Sequence, residues 1–161
     1  NLKNYAHKPM TNPVIILCDN DDGPKTVFKN AEKKAGTKIT TATTDHFYYL
    51  GENLYLVKVP EGITPHPREI EELFQPALLA TKLNGKSFDP KKDHGDDTHY
   101  GKVAFAESVV RVNASTVDFS GFEELLERIE AVLKDYATIL AAPSATPTPA
   151  AAAASAPTAT P

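Results

Sequence analysis

The chain has 161 residues, a formal net charge of −4 and a sequence pI near 5.7; this excludes a basic nucleic-acid coat and leaves any polyanion binding to local patches. Its one cysteine excludes a disulfide framework and fits a reducing, cytoplasmic compartment. No apolar run approaches the roughly 20 residues of a membrane helix, so one domain of ordinary size away from the membrane is expected.

Residues 1–12 carry no signal-peptide pattern and read as an incoming segment of a longer protein. Val14-Ile15-Ile16-Leu17 is apolar at every position rather than every second one, the pattern of a buried strand in a parallel sheet. That strand runs through Cys18, read as a packing residue, into Asp19, Asp21, Asp22 and Gly23. Ligands of open α/β sheets bind at the carboxyl ends of strands. Three carboxylates crowded there repel one another unless a cation neutralises them. Hard oxygen ligands favour Mg²⁺ or Mn²⁺, so a divalent-metal site engaged in phosphate chemistry is expected.

Gly23-Pro24 opens a helix with proline in its first turn. Val27, Phe28, Ala31 and Ala35 form its apolar stripe and Gly36 ends it. Lys25, Lys29 and Lys33 recur every four residues on another face, either as a solvated surface or as a basic rail for a phosphate backbone. Thr37 to Thr44 is a threonine-rich connection. Two aromatic and β-branched runs, His46 to Leu50 and Leu54 to Val59, flank Gly51-Glu52-Asn53 and predict a β-hairpin that Pro60 stops.

Pro67 begins a short helix that ends near Pro76. Asn84 to Tyr100 is polar and irregular, with His94 and His99 among Asp89, Asp93, Asp96 and Asp97, and reads as a loop rather than a metal centre. Gly101 to Val112 is expected to be helical, with Val103, Ala106, Val109 and Val110 on one side. Ser120 and Glu123 have capping-box spacing, and Phe122, Leu125, Leu126, Ile129, Val132, Leu133 and Tyr136 continue at helical intervals. Residues 141–161 contain only Ala, Pro, Ser and Thr, so a disordered tail is expected there. The folded body is therefore assigned to residues 13–140.

Several motifs compete for the acidic strand tip. An EF-hand with Gly23 at its sixth position puts Cys18 first and Lys29 twelfth, and neither can be a ligand. A phosphate-binding glycine loop lacks its lysine and hydroxyl. A haloacid-dehalogenase-like phosphatase would use Asp19 as nucleophile and Asp21 as acid/base, but Asp22 displaces the glycine usual at that point.

Asp19, Asp21 and Gly23, following a buried strand and preceding a helix, resemble the Toprim signature of topoisomerases, primases and OLD-type nucleases. Three further segments, Ile70 to Phe74, Tyr100 to Ala106 and Asp118 to Phe122, resemble the C-terminal region of a retron-type RNA-directed DNA polymerase/endonuclease, in which a Toprim-like domain follows a reverse transcriptase. The similarity spans about residues 10 to 137. It implies a partial Toprim-like, Rossmann-like parallel sheet with a β-hairpin and C-terminal helices. It further implies an Mg²⁺- or Mn²⁺-dependent nuclease acting on nucleic acid, with DNA the expected substrate, and a reverse transcriptase domain in the same parent chain.

By this resemblance Asp19 and Asp21 hold the metal, Asp22 extends the shell, Glu71 (rather than its neighbour Glu72) adds a carboxylate, and Lys102 stabilises charge on the phosphate. Lys25, Lys29 and Lys33 would meet the nucleic acid. Toprim domains also carry a glutamate upstream of Asp-x-Asp, whereas no acidic residue precedes Asp19 here. The expectation is that this chain alone does not cleave DNA. A dehalogenase-like phosphatase and a non-catalytic nucleic-acid or partner-binding module stay open beside the nuclease reading.

Overall fold

A computed structural model describes residues 10–62 and 68–141. The incoming residues up to 9, the predicted helix start at Pro67 and the Ala/Pro/Ser/Thr segment from 142 lie outside the described residues. The architecture is mixed α/β. Strand β1 (Val14–Cys18) leads into helix α1 (Lys25–Ala35), followed by β2 (Tyr48–Tyr49) and β3 (Leu54–Lys58). The sheet order is β1-β3-β2, with β1 parallel to β3 and β2 antiparallel to it. A parallel pair needs a long crossover, and α1 lies within it. Gly36 closes α1 in the left-handed conformation that glycine adopts most readily, its N–H donating to Glu32 O.

The central strand is β3, not β1. Tyr55, Leu56, Val57 and Val59 are all fully buried, and they alternate between two cores. Tyr55, Val57 and Val59 pack with Leu125, Val132 and Tyr136 on one face, while Leu56 packs with Phe28, Ala31 and Tyr48 on the other. The expected burial of β1 is therefore partial. Val14 and Leu17 are 43% and 42% exposed, β1 being one of the two outer strands of this sheet among the described residues, with no neighbour along one flank.

The remaining chain packs around a third core. A 3₁₀ turn (Ile70–Leu73) precedes α2 (Pro76–Leu79), then come β4 (Ser87–Phe88) and β5 (His99–Tyr100), which pair in parallel, and α3 (Lys102–Ala104), which widens into a π-helical turn over Phe105–Val110. Pro76 starts a helix where the sequence suggested an end, since a first-turn proline loses no hydrogen bond. The π turn shifts the helix face, so Phe105 and Val109 are buried while Val103 and Ala106 are exposed. Phe74 joins this core to the first, meeting Phe105 and Phe122 edge-on at ring-centroid distances of 5.4 and 4.7 Å.

Helix α4 (Glu123–Ala141) is the longest element and closes the first core. Ser120 does not cap it. Instead Ser120–Phe122 forms a 3₁₀ turn, and Asp118 Oδ1 accepts the Ser120 N–H at 2.8 Å. Gly121 lies against Leu73, where a Cβ would fall 2.0 Å from the carbonyl oxygen, so only glycine permits this approach. The buried face of α4 is Leu125, Arg128, Val132 and Tyr136, while Leu126 and Leu133 are 60% and 51% exposed. No described helix is long and apolar enough to cross a membrane.

Candidate functional site

The ladder of β1 ends where Cys18 O accepts the Val59 N–H at 2.9 Å. The chain then continues extended, and Asn20 exchanges two backbone hydrogen bonds of 2.8 Å with Arg68. Because extended residues alternate sides, Asn20 turns opposite to Asp19 and Asp21. Asn20 is fully buried, with its Nδ2 donating to Thr41 O at 3.1 Å and to Glu61 Oε1 at 3.3 Å.

The acids have separate local partners. Asp19 Oδ1 accepts the Ile70 N–H at 2.9 Å, which ties the strand tip to the segment bearing Glu71. Asp21 Oδ1 folds back to accept the Gly23 N–H at 2.9 Å. Asp22 pairs with Lys25 at 3.0 Å on an exposed surface. Asp19 and Asp21 thus each engage one carboxylate oxygen, and the other has no hydrogen-bond partner among the described residues. No three His, Cys, Asp or Glu side chains there form a group able to hold a metal.

Two other predicted residues meet each other. Lys102 Nζ lies 3.2 Å from Glu71 Oε2 and 3.1 Å from Glu69 Oε2. Partial burial would lower the Lys102 pKa, but the two glutamates outweigh it and raise it above the ordinary lysine value. Lys102 is thereby held as a cation whose charge is already balanced. Burial, reinforced by Asp19, raises the Cys18 pKa, in keeping with a packing thiol.

Beside Asp21 a cavity of about 360 Å³ opens between α1 and the loop after it. Asp21, Asp22, Lys25, Lys29 and Glu32 supply its charged lining, Phe28 and Ile39 its apolar lining, and Thr40 and Thr41 the loop wall. Two of the three lysines on the predicted basic face therefore reach the cavity; Lys33, one turn further on, is exposed and does not line it.

Behind that loop wall lies a network that sequence reasoning missed. Lys58 is fully buried, and its ammonium donates to Thr40 O (2.6 Å), Thr43 O (2.7 Å), Glu61 Oε1 (3.1 Å) and Asn20 Oδ1 (3.3 Å). Arg128, 1% exposed, donates to Lys58 O (3.3 Å), Glu61 Oε2 (2.7 Å) and Glu124 Oε1 (2.8 Å). Burial lowers the Lys58 pKa from its ordinary value despite Glu61 beside it. Burial alone would raise the Glu61 pKa, yet hydrogen bonds from Arg128 and Lys58 hold it below the ordinary carboxylate value. A charged residue within an otherwise apolar strand was one signal of this cluster. The other was the interval Leu125, Arg128, Val132, Tyr136, which puts an arginine on the buried face of α4.

The histidine-bearing loop is organised by one carboxylate. Asp96 Oδ1 accepts the Thr98 and His99 N–H groups at 2.8 and 2.7 Å, and its Oδ2 meets Lys92. The Lys92 hydrogen bond, then those two N–H groups, hold the Asp96 carboxyl far below the usual range. No family model and no solved structure matches the chain.

Proposed function

We propose that the strand tip is a divalent-metal site for phosphodiester cleavage, of Toprim type, in which Asp19 and Asp21 hold Mg²⁺ or Mn²⁺ and the substrate is nucleic acid, DNA by preference. In this reading the chain is the nuclease module of a retron-type RNA-directed DNA polymerase/endonuclease. The observation that carries it is the cavity bordered by Asp21, Asp22, Lys25 and Lys29 beside the carboxyl end of a parallel strand.

The residues present suit such an ion in their chemistry. Mg²⁺ keeps several waters and binds through one or two carboxylates together with substrate phosphates, so it does not require a cluster of three acids. When bound, the cation supplies Lewis-acid polarisation of the phosphoryl oxygen. Lys25 and Lys29 draw the polyanion toward the acids. Glu71, next in sequence to the Ile70 whose N–H holds Asp19, is paired with Lys102, which would leave that pair to meet a phosphate.

Titration of the chain with Mg²⁺, followed by amide chemical shifts, tests the reading. The expected result is a saturable response at Asp19 and Asp21 that weakens about tenfold or more in Asp21→Asn, equivalent to at least about 1.4 kcal/mol. Identical titrations of the native chain, Asp19→Asn and Asp21→Asn would overturn it. The second reading, a non-catalytic nucleic-acid-binding module, is favoured by the prior engagement of Asp19 and Lys102. It predicts DNA binding that survives both asparagine substitutions.

A further inference from the structure

The cavity beside α1 is not lined as a bare anion site would be. Lys25 is paired with Asp22, but Lys29, one turn along, has no ion-pair or hydrogen-bond partner among the described residues. Below these charges Phe28 and Ile39, core residues only 5% and 3% exposed, close the floor of the cavity with the small apolar surface that the core leaves open to it. Glu32 uses one carboxylate oxygen to accept the Ile39 N–H at 2.9 Å, leaving the other as an acceptor for an amino group.

The wall opposite α1 is preformed. Asn20 holds Thr41 O and the buried Lys58 ammonium holds Thr40 O, so the loop is anchored to the sheet before any ligand arrives. A rigid wall lowers the ordering cost of binding. The volume, about 360 Å³, falls at the small end of small-molecule sites, roughly 300–1,000 Å³, and is too confined for a duplex.

We propose that this cavity binds a single nucleotide unit, its base against Phe28 and Ile39 and its phosphate met by Lys29, and that it orients the nucleotide adjoining the phosphate at the strand tip. The proposal rests on the phosphodiester reading above and adds the subsite that grips the substrate. An exposed lysine supplies the charge, while the apolar lining supplies the preference for a nucleotide over inorganic phosphate.

The test is a metal-free titration of the whole chain with 2′-deoxycytidine 5′-monophosphate, and separately with inorganic phosphate, read by amide shifts. The nucleotide is expected to shift Lys29, Ile39, Thr40 and Thr41 saturably, with inorganic phosphate about tenfold weaker and Lys29→Glu weakening the nucleotide about tenfold. Absence of a saturable shift, equal binding of phosphate and nucleotide, or an unaltered Lys29→Glu titration would each overturn the proposal. The Mg²⁺ titration reads the strand tip independently. A metal response without a nucleotide response overturns this subsite alone, and a nucleotide response without a metal response overturns the cleavage reading alone.

Discussion

Two polar clusters flank the end of β1, and they treat their charges in opposite ways. On the inner side Lys58 and Arg128 are sealed from water, and Glu61 bridges them with both carboxylate oxygens. On the outer side Asp22 and Lys25 pair in solvent, and Asp21 contacts only its own turn. The buried charges have been taken up by the fold, because an unpaired ion there would be costly. The outer acids retain unused oxygens, which is what a ligand needs. The contrast separates groups that fix the architecture from groups that remain available for chemistry.

Substitution can break this comparison at its strongest point. Glu61→Gln leaves two buried cations without their shared anion and is expected to cost about 3–5 kcal/mol, measured by urea denaturation. The same carboxylate predicts the acid limb of stability. Its folded pKa lies below its ordinary value of 4.5, so its contribution is complete above that value and disappears as pH falls through the folded pKa. Glu61→Gln should flatten that limb; an unchanged limb would assign acid sensitivity to another group.

An intermediate effect is expected at Tyr55, whose hydroxyl donates to Asp135 Oδ2 at 2.7 Å across the sheet–helix interface. Tyr55→Phe removes that bond while keeping the ring, and should cost about 1 kcal/mol. The smallest effect belongs to the outer cluster. Lys25→Met removes an ion pair with both partners largely exposed and should change stability by less than about 0.5 kcal/mol in the same denaturation series. A loss near that of Glu61→Gln would erase the distinction between the two sides.

What was legible in the sequence follows the range of the interactions. The strand Val14–Cys18, the helix ended by Gly36 and the hairpin around Gly51 are set by residues a few positions apart, and each occurs near its expected place. Patterns requiring knowledge of a distant partner were less readable. Whether an apolar strand lies at the centre or edge of a sheet depends on its neighbours, so the apolar run of β1 did not reveal that it lies at an edge while β3 takes the centre. Leu126 and Leu133 share a helical stripe with the core residues, yet α4 presents Arg128 to the sheet instead.

The strand tip shows the same division. Asp19, Asp21 and Asp22 were visible as an acidic run, and two of them border the cavity. Asn20 gave no sign of its importance, although it is the buried residue between them and touches Thr41, Glu61 and Lys58. Its role depends on a lysine 38 positions away and a threonine 21 positions away. The Thr40–Thr41 wall of the cavity was equally hidden, since the threonine-rich segment, turned by its own short-range bonds, is anchored to the sheet by those distant donors.

The bond from Arg128 to Lys58 O, spanning 70 positions, also sets a condition on folding. The strand tip leaves the ribosome long before α4 does. Until Arg128 follows, the nascent sheet holds Lys58 and Glu61 without the guanidinium that completes their enclosure, and the first core lacks Leu125, Val132 and Tyr136. The enclosure of Lys58 and Glu61 is therefore complete only with α4 docked on the sheet, so the loop wall that Lys58 anchors depends on residues in distant parts of the described chain.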